Sequence, residues 1–205
     1  GVVAAMWIKL EKLFSLILPE RRRKSPYCCY TFHPSLHQCR NLKRFEVYEA
    51  EAFWELVCPA ETQYIDNEAR RRNLNLVNVA RALRENHNHR KTIELRWPEG
   101  TLNSVDIRCW TKLFIHFIET CKYAKMPHDL SSFSLTEALR FLGLEHEESF
   151  VVLSQSLFET KNWFLERLLA YKEDASECYG GNHEEIYKDA ISILNRMWKP
   201  LKSFA

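Results

Sequence analysis

Glycine is scarce in this chain: five residues in 205. Few positions can therefore take the φ > 0 turns that many-stranded β folds need, and such folds are disfavoured. No stretch of about 18 uncharged apolar residues occurs, which speaks against a membrane-spanning helix. The apolar start, Val2 to Leu18, is interrupted by Lys9, Glu11 and Lys12. It therefore reads neither as a secretory signal nor, with Glu11 and Glu20 present, as a mitochondrial presequence. Also lacking are a GxSxG elbow, a Walker loop, a GxGxxG turn, an HExxH helix and any CxxC pair. Each missing motif removes a well-marked class of hydrolase, nucleotide binder, metalloprotease or zinc module.

The composition that remains is globular, with 46% apolar and 27% charged residues. Aromatic content is 13%, including six Trp, eight Tyr and twelve Phe. The expected fold is mainly α: a single-domain multi-helix bundle or short helical array of about seven helices, with a β-hairpin near 92–109 as an option. Seven cysteines, an odd number scattered from Cys28 to Cys178, point away from a disulfide scaffold and towards a reducing compartment, cytoplasm or nucleus. The chain opens on Gly1, which reads as a processed product or a fragment, with Met6 as a candidate native start. Net charge is +2, but the first 102 residues carry 17 Lys and Arg against 12 Asp and Glu, and the rest carry 12 against 15. That asymmetry suggests polarity in partner binding.

Val2 to Leu18 has an apolar stripe of Trp7, Leu10, Phe14 and Ile17 and is ended by Pro19. Residues 1–64 form an N-terminal segment, basic and rich in Cys and His after this helix, that suits a partner-binding arm. Residues 65–205 form a compact helical domain. Helices are expected over Leu42–Val57 and Asp66–Glu85. Thr92 to Trp97 alternates Ile93, Leu95 and Trp97 against Glu94 and Arg96, the period of a strand. Its rival is a loop leading into a helix that begins near Asn103 or Ser104. A broad apolar face follows from Trp110 to Cys121. Ser134-Leu135-Thr136-Glu137 is a capping box, and Gly143 is a C-cap for the short helix it opens. Glu147 to Lys172 is the longest helical candidate. A last helix opens at a second capping-box pattern, Asn182 to Glu185, and is closed by Pro200.

Three constellations could carry function. Cys29, His33, His37 and Cys39 offer thiolate and imidazole ligands for zinc, without the CxxC spacing that makes such sites specific. Arg21, Arg22, Arg23 and Lys24, with Arg70, Arg71, Arg72, Arg81 and Arg84, could meet phosphates of a nucleic acid. The first helix followed by basic residues resembles a membrane-surface pattern, but more often such a helix docks on protein, so peripheral membrane contact is disfavoured. Cys109, Cys121, His116 and His128-Asp129 could supply a nucleophile and base, although pairs of this kind arise by chance in a chain with seven Cys and eight His.

The sequence reading is a non-catalytic scaffold or adaptor that needs no cofactor and binds a protein partner, a second copy of itself included. Trp7, Phe14, Trp163, Phe164, Tyr187 and Trp198 are its candidate anchors, because aromatics dominate interface energetics. The alternatives are a nucleic-acid-binding protein using the arginine clusters and a zinc-stabilised module.

Overall fold

The computed structural model describes residues 2–25, 73–84, 92–144, 154–173 and 184–202. Among them are seven helices and one two-stranded antiparallel sheet, so the protein is mainly helical, as the glycine scarcity and helical periodicities indicate. The elements in chain order are α1 (Val2–Leu16), α2 (Glu20–Arg23), β1 (Leu74–Asn75), α3 (Val77–Arg84), β2 (Glu94–Leu95), α4 (Ser104–Tyr123), α5 (Leu135–Phe141), α6 (Ser154–Ala170) and α7 (Glu184–Lys202). No described helix is long and apolar enough to cross a membrane.

The chain divides into two compact units. The first holds residues 1–12, 21–99 and 124–132, and the second holds 13–20, 100–123 and 133–205. Helix α1 contributes to both. It is buried around its circumference: Ala4 to Ile8, Leu10, Leu13, Phe14 and Leu16 are 7% exposed or less, and even Glu11 and Ser15 are covered. Full burial is what an apolar helix with few charges achieves when its polar side chains find partners. Trp7 and Phe14 are thus core residues.

In the first unit, β1 and β2 pair in the register Leu74 with Leu95 and Asn75 with Glu94. Arg96 N donates to Asn73 O at 2.8 Å, extending the ladder by one rung. Two expectations are corrected here. The stretch from Asp66 to Glu85 is not one helix, because Leu74–Asn75 is extended and helix α3 begins only at Val77. The 92–109 hairpin does not form either: β2 pairs with β1, and α4 begins at Ser104. Local alternation identified a strand, but partner choice is a non-local matter. Asn103 Oδ1 accepts from Val105 N at 2.9 Å, covering a first-turn donor that helix geometry leaves open.

In the second unit, α6 packs against α4 and α7, and α7 also meets α5. Cys109, Trp110, Leu113, Phe117 and Cys121 form the buried stripe of α4. Trp110 meets Trp163 edge-on at 5.1 Å between ring centroids, and Phe14 meets Phe164 edge-on at 6.4 Å. Ser134 and Glu137 make the expected capping box on α5. Gly143 takes φ 69°, as only glycine does at no steric cost, while Leu144 N reaches back to Leu139 O at 2.7 Å. Helix α7 runs on past Pro200 to Lys202, whereas the sequence reading closes it at Pro200. A proline so near a helix end forfeits one rung without stopping the last turn.

Candidate active site

The small sheet of the first unit carries a charged cluster on its polar side. Glu94 and Arg96 are two apart on one extended segment, so their side chains share a face. Arg96 Nε lies 3.0 Å from Glu94 Oε1, and Arg96 NH2 donates to Oε2 at 3.0 Å. The carboxylate side chain is 53% exposed and the guanidinium side chain 26%, so both can meet a ligand. Asn75, directly across the ladder, donates from Nδ2 to Glu94 Oε2 at 2.8 Å. Its Oδ1 accepts from Val77 N at 3.0 Å and covers the first free N–H of α3. One buried amide therefore orients the carboxylate and starts the helix, and the two bonds fix which way the amide points.

Beneath this cluster lies a buried polar chain. Trp7 Nε1 donates to Asn73 Oδ1 at 2.9 Å, and Asn73 Nδ2 donates to Glu11 Oε1 at 2.6 Å. Asn73 is wholly buried. Since its backbone carbonyl receives Arg96 N, the chain links α1 to the strand that presents Arg96. Trp97 follows Arg96, is buried, and lies 5.1 Å from Trp7 between ring centroids.

Helix α2 fastens the exit of β2. Arg22 donates from Nε to Trp97 O at 3.2 Å and from NH2 to Arg96 O. Arg21 meets Glu99 through Nε at 3.0 Å and NH2 at 3.3 Å. On α1, Lys9 pairs with Asp129 at 3.0 Å. Hydrogen bonds from Ser131 and from Lys9 pull the Asp129 carboxyl down to about 2.

The basic run that follows α1 is thus divided. Arg21 is exposed and paired with Glu99, Arg22 grips backbone, Arg23 is buried and Lys24 is exposed. Arg70, Arg71 and Arg72 and the zinc candidates Cys29, His33, His37 and Cys39 lie outside the described residues, as do the side chains of Arg81, Arg84 and Trp198. Trp163, Phe164 and Tyr187 are 6% exposed or less. Cys109 and Cys121 are buried. Burial pushes both thiols up, that of Cys121 to about 12, so neither offers a thiolate at neutral pH.

The first unit thus presents a carboxylate and a guanidinium together at the end of β2. A family model described as "Putative amidoligase enzyme" matches residues 1–118. The chain belongs to that family. No protein of curated function and no solved structure matches the chain. The family match overturns the reading of a non-catalytic scaffold that works by protein–protein interaction. The physical reason for the error is plain. Two charged side chains at alternate positions of an extended segment have the period-2 signature of a solvated strand face, whatever their role. Glu94 and Arg96 were legible as a polar face, but the chemistry they could carry was not. The one available signal was the opposite sign of the two charges at i and i+2.

Proposed function

We propose that this chain forms amide bonds between a carboxylate and an amine at the expense of a nucleoside triphosphate, with Glu94 and Arg96 as its catalytic pair. The observation that carries this reading is the pairing of the exposed Glu94 with the half-buried Arg96, oriented by Asn75 and lying within the residues the family model covers. Joining a carboxylate to an amine in water runs uphill, so the carboxylate must first be activated. Its oxygen attacks the terminal phosphorus of the nucleotide, and nucleoside diphosphate leaves. The amine nitrogen then attacks the acyl carbon of the resulting acyl phosphate, orthophosphate leaves, and the nitrogen gives up a proton.

Arg96 supplies a fork of donors matched to carboxylate or phosphate oxygens. Binding an anionic substrate exchanges its contact with Glu94 for one with the ligand and frees the Glu94 carboxylate. That carboxylate then accepts the proton of the attacking amine. Nucleotide-dependent ligases commonly use magnesium. Among the described residues no three His, Cys, Asp or Glu side chains gather into a metal cage. Magnesium carried by nucleotide phosphates needs only one or two protein oxygens. Glu94, as the proton acceptor, would stay off the metal, and the ion, held mainly by the phosphates, would offset their charge.

The test incubates the purified chain with magnesium and ATP, a panel of amino-acid and peptide carboxylates, and hydroxylamine as the amine. Hydroxamate and ADP are measured. The expected result is carboxylate-dependent formation of both, reduced at least about 100-fold in Glu94→Gln and Arg96→Gln. Absence of nucleotide turnover with every carboxylate, or turnover unchanged in both variants, overturns the reading.

A further inference from the structure

We infer that Arg22 is a positioning residue of the Glu94–Arg96 pair, an inference that rests on the ligase reading for its consequence but not for its geometry. Strand β2 has only two residues in the ladder, too few to hold a side chain beyond its end in one place. Arg96 is the next residue, and its backbone is held from both sides. Its N–H donates to Asn73 O at 2.8 Å. Its carbonyl accepts from Arg22 NH2, and the following carbonyl, of Trp97, accepts from Arg22 Nε at 3.2 Å. A guanidinium can span two successive carbonyls because its donors sit in a rigid fork, whereas an ammonium is a point donor. Trp97 is buried, so the peptide that Arg22 grips is anchored at its far end, and the remaining freedom lies at Arg96.

Arg21 points to Glu99 and is 81% exposed in its side chain. Arg22 is half-buried and directs its Nε and NH2 donors onto backbone carbonyls. The role of Arg22 is therefore indirect: it touches neither Glu94 nor a ligand, and it acts by fixing the direction in which the Arg96 side chain leaves the strand.

The experiment uses the full chain and two readouts. The first, without ligand, is the ¹⁵N–¹H cross-peak of Arg96 Nε, assigned by its loss in Arg96→Lys. In Arg22→Lys and Arg22→Gln it is expected to move towards the position of a free arginine. In Arg21→Gln it is expected to stay where the unmodified chain has it. The second readout is binding of magnesium and ATP by calorimetry, at a temperature where circular dichroism shows every variant folded. Both Arg22 variants are expected to bind at least about tenfold more weakly, and Arg21→Gln within about twofold of the unmodified chain. An unmoved cross-peak in both Arg22 variants overturns the inference, whatever the nucleotide does. A moved cross-peak with nucleotide binding unchanged overturns the link to the site. Failure of the unmodified chain to bind nucleotide overturns the ligase reading, and the cross-peak then still decides whether Arg22 orients Arg96.

Discussion

Trp7 and Asn73, 66 residues apart, are joined by a buried hydrogen bond of 2.9 Å from the indole nitrogen to the side-chain oxygen. The same amide donates to Glu11 at 2.6 Å, so one side chain satisfies two groups on α1 four residues apart, one turn of helix. Asn73→Ala removes an acceptor and a donor from a buried site. The expected loss is about 2–4 kcal/mol of unfolding free energy, measured by urea titration. Asn73→Asp sets a second carboxylate against Glu11. One of the two must then titrate above its ordinary range. The penalty is full at neutral pH and shrinks as acid neutralises the pair, so the stability deficit of this variant narrows from pH 7 to pH 5. A deficit independent of pH would show that the carboxylates do not share the site.

The loop at 124–132 is tied to α1 by Asp129, which Lys9 and Ser131 hold in its charged form. Its folded value, about 2, lies below the ordinary 3.8. The contribution is thus fully present above about pH 4 and is lost as the pH falls through about 2. Asp129→Asn is expected to remove that part of the acid dependence. Thermal melts of both chains between pH 5 and pH 2 check it, the curves converging at the acid end.

Cys121 is buried on α4, and burial raises its thiol to about 12. The folded chain at pH 8 is expected to leave Cys121 unmodified by iodoacetamide, with Cys109 likewise protected. Modification of both should follow denaturation. Peptide mapping by mass spectrometry at each cysteine reads the outcome, and rapid labelling of Cys121 in the folded chain would contradict the packing of α4.

Helix α5 starts on Ser134, whose hydroxyl oxygen accepts from Glu137 N while Glu137 Oε2 accepts from Ser134 N at 2.9 Å. Ser134→Ala is expected to cost about 1 kcal/mol, and Ser134→Asp much less, because Asp also accepts at an N-cap. Denaturant midpoints of the two variants give the comparison. Equal losses in both would mean that the cap does not stabilise the helix.

Much of the helical architecture was legible residue by residue. The Ser134 cap, the Gly143 turn, the start of α4 beside Asn103 and the buried stripe from Trp110 to Cys121 all follow from interactions within a few positions of one another. Local rules suffice there because the groups that satisfy each other are also neighbours in the chain. The same rules misjudged the surroundings of α1. Its apolar stripe was visible, but the burial of Lys9 and Glu11 depends on Asp129 and Asn73, far along the chain. An arm presented to a partner and a helix sealed in a core have the same periodicity.

Charge and alternation by themselves determined that Glu94 and Arg96 would lie together on one face of an extended segment. Only the tertiary structure decided which strand they would pair with. It brought Asn75 across from Glu94, placed Arg22 behind Arg96, and turned that one arginine of the basic run after α1 onto backbone carbonyls. The physical reason is that a hydrogen bond between groups 19 to 75 residues apart has no local signature: its energy exists only once the chain has closed the loop between them.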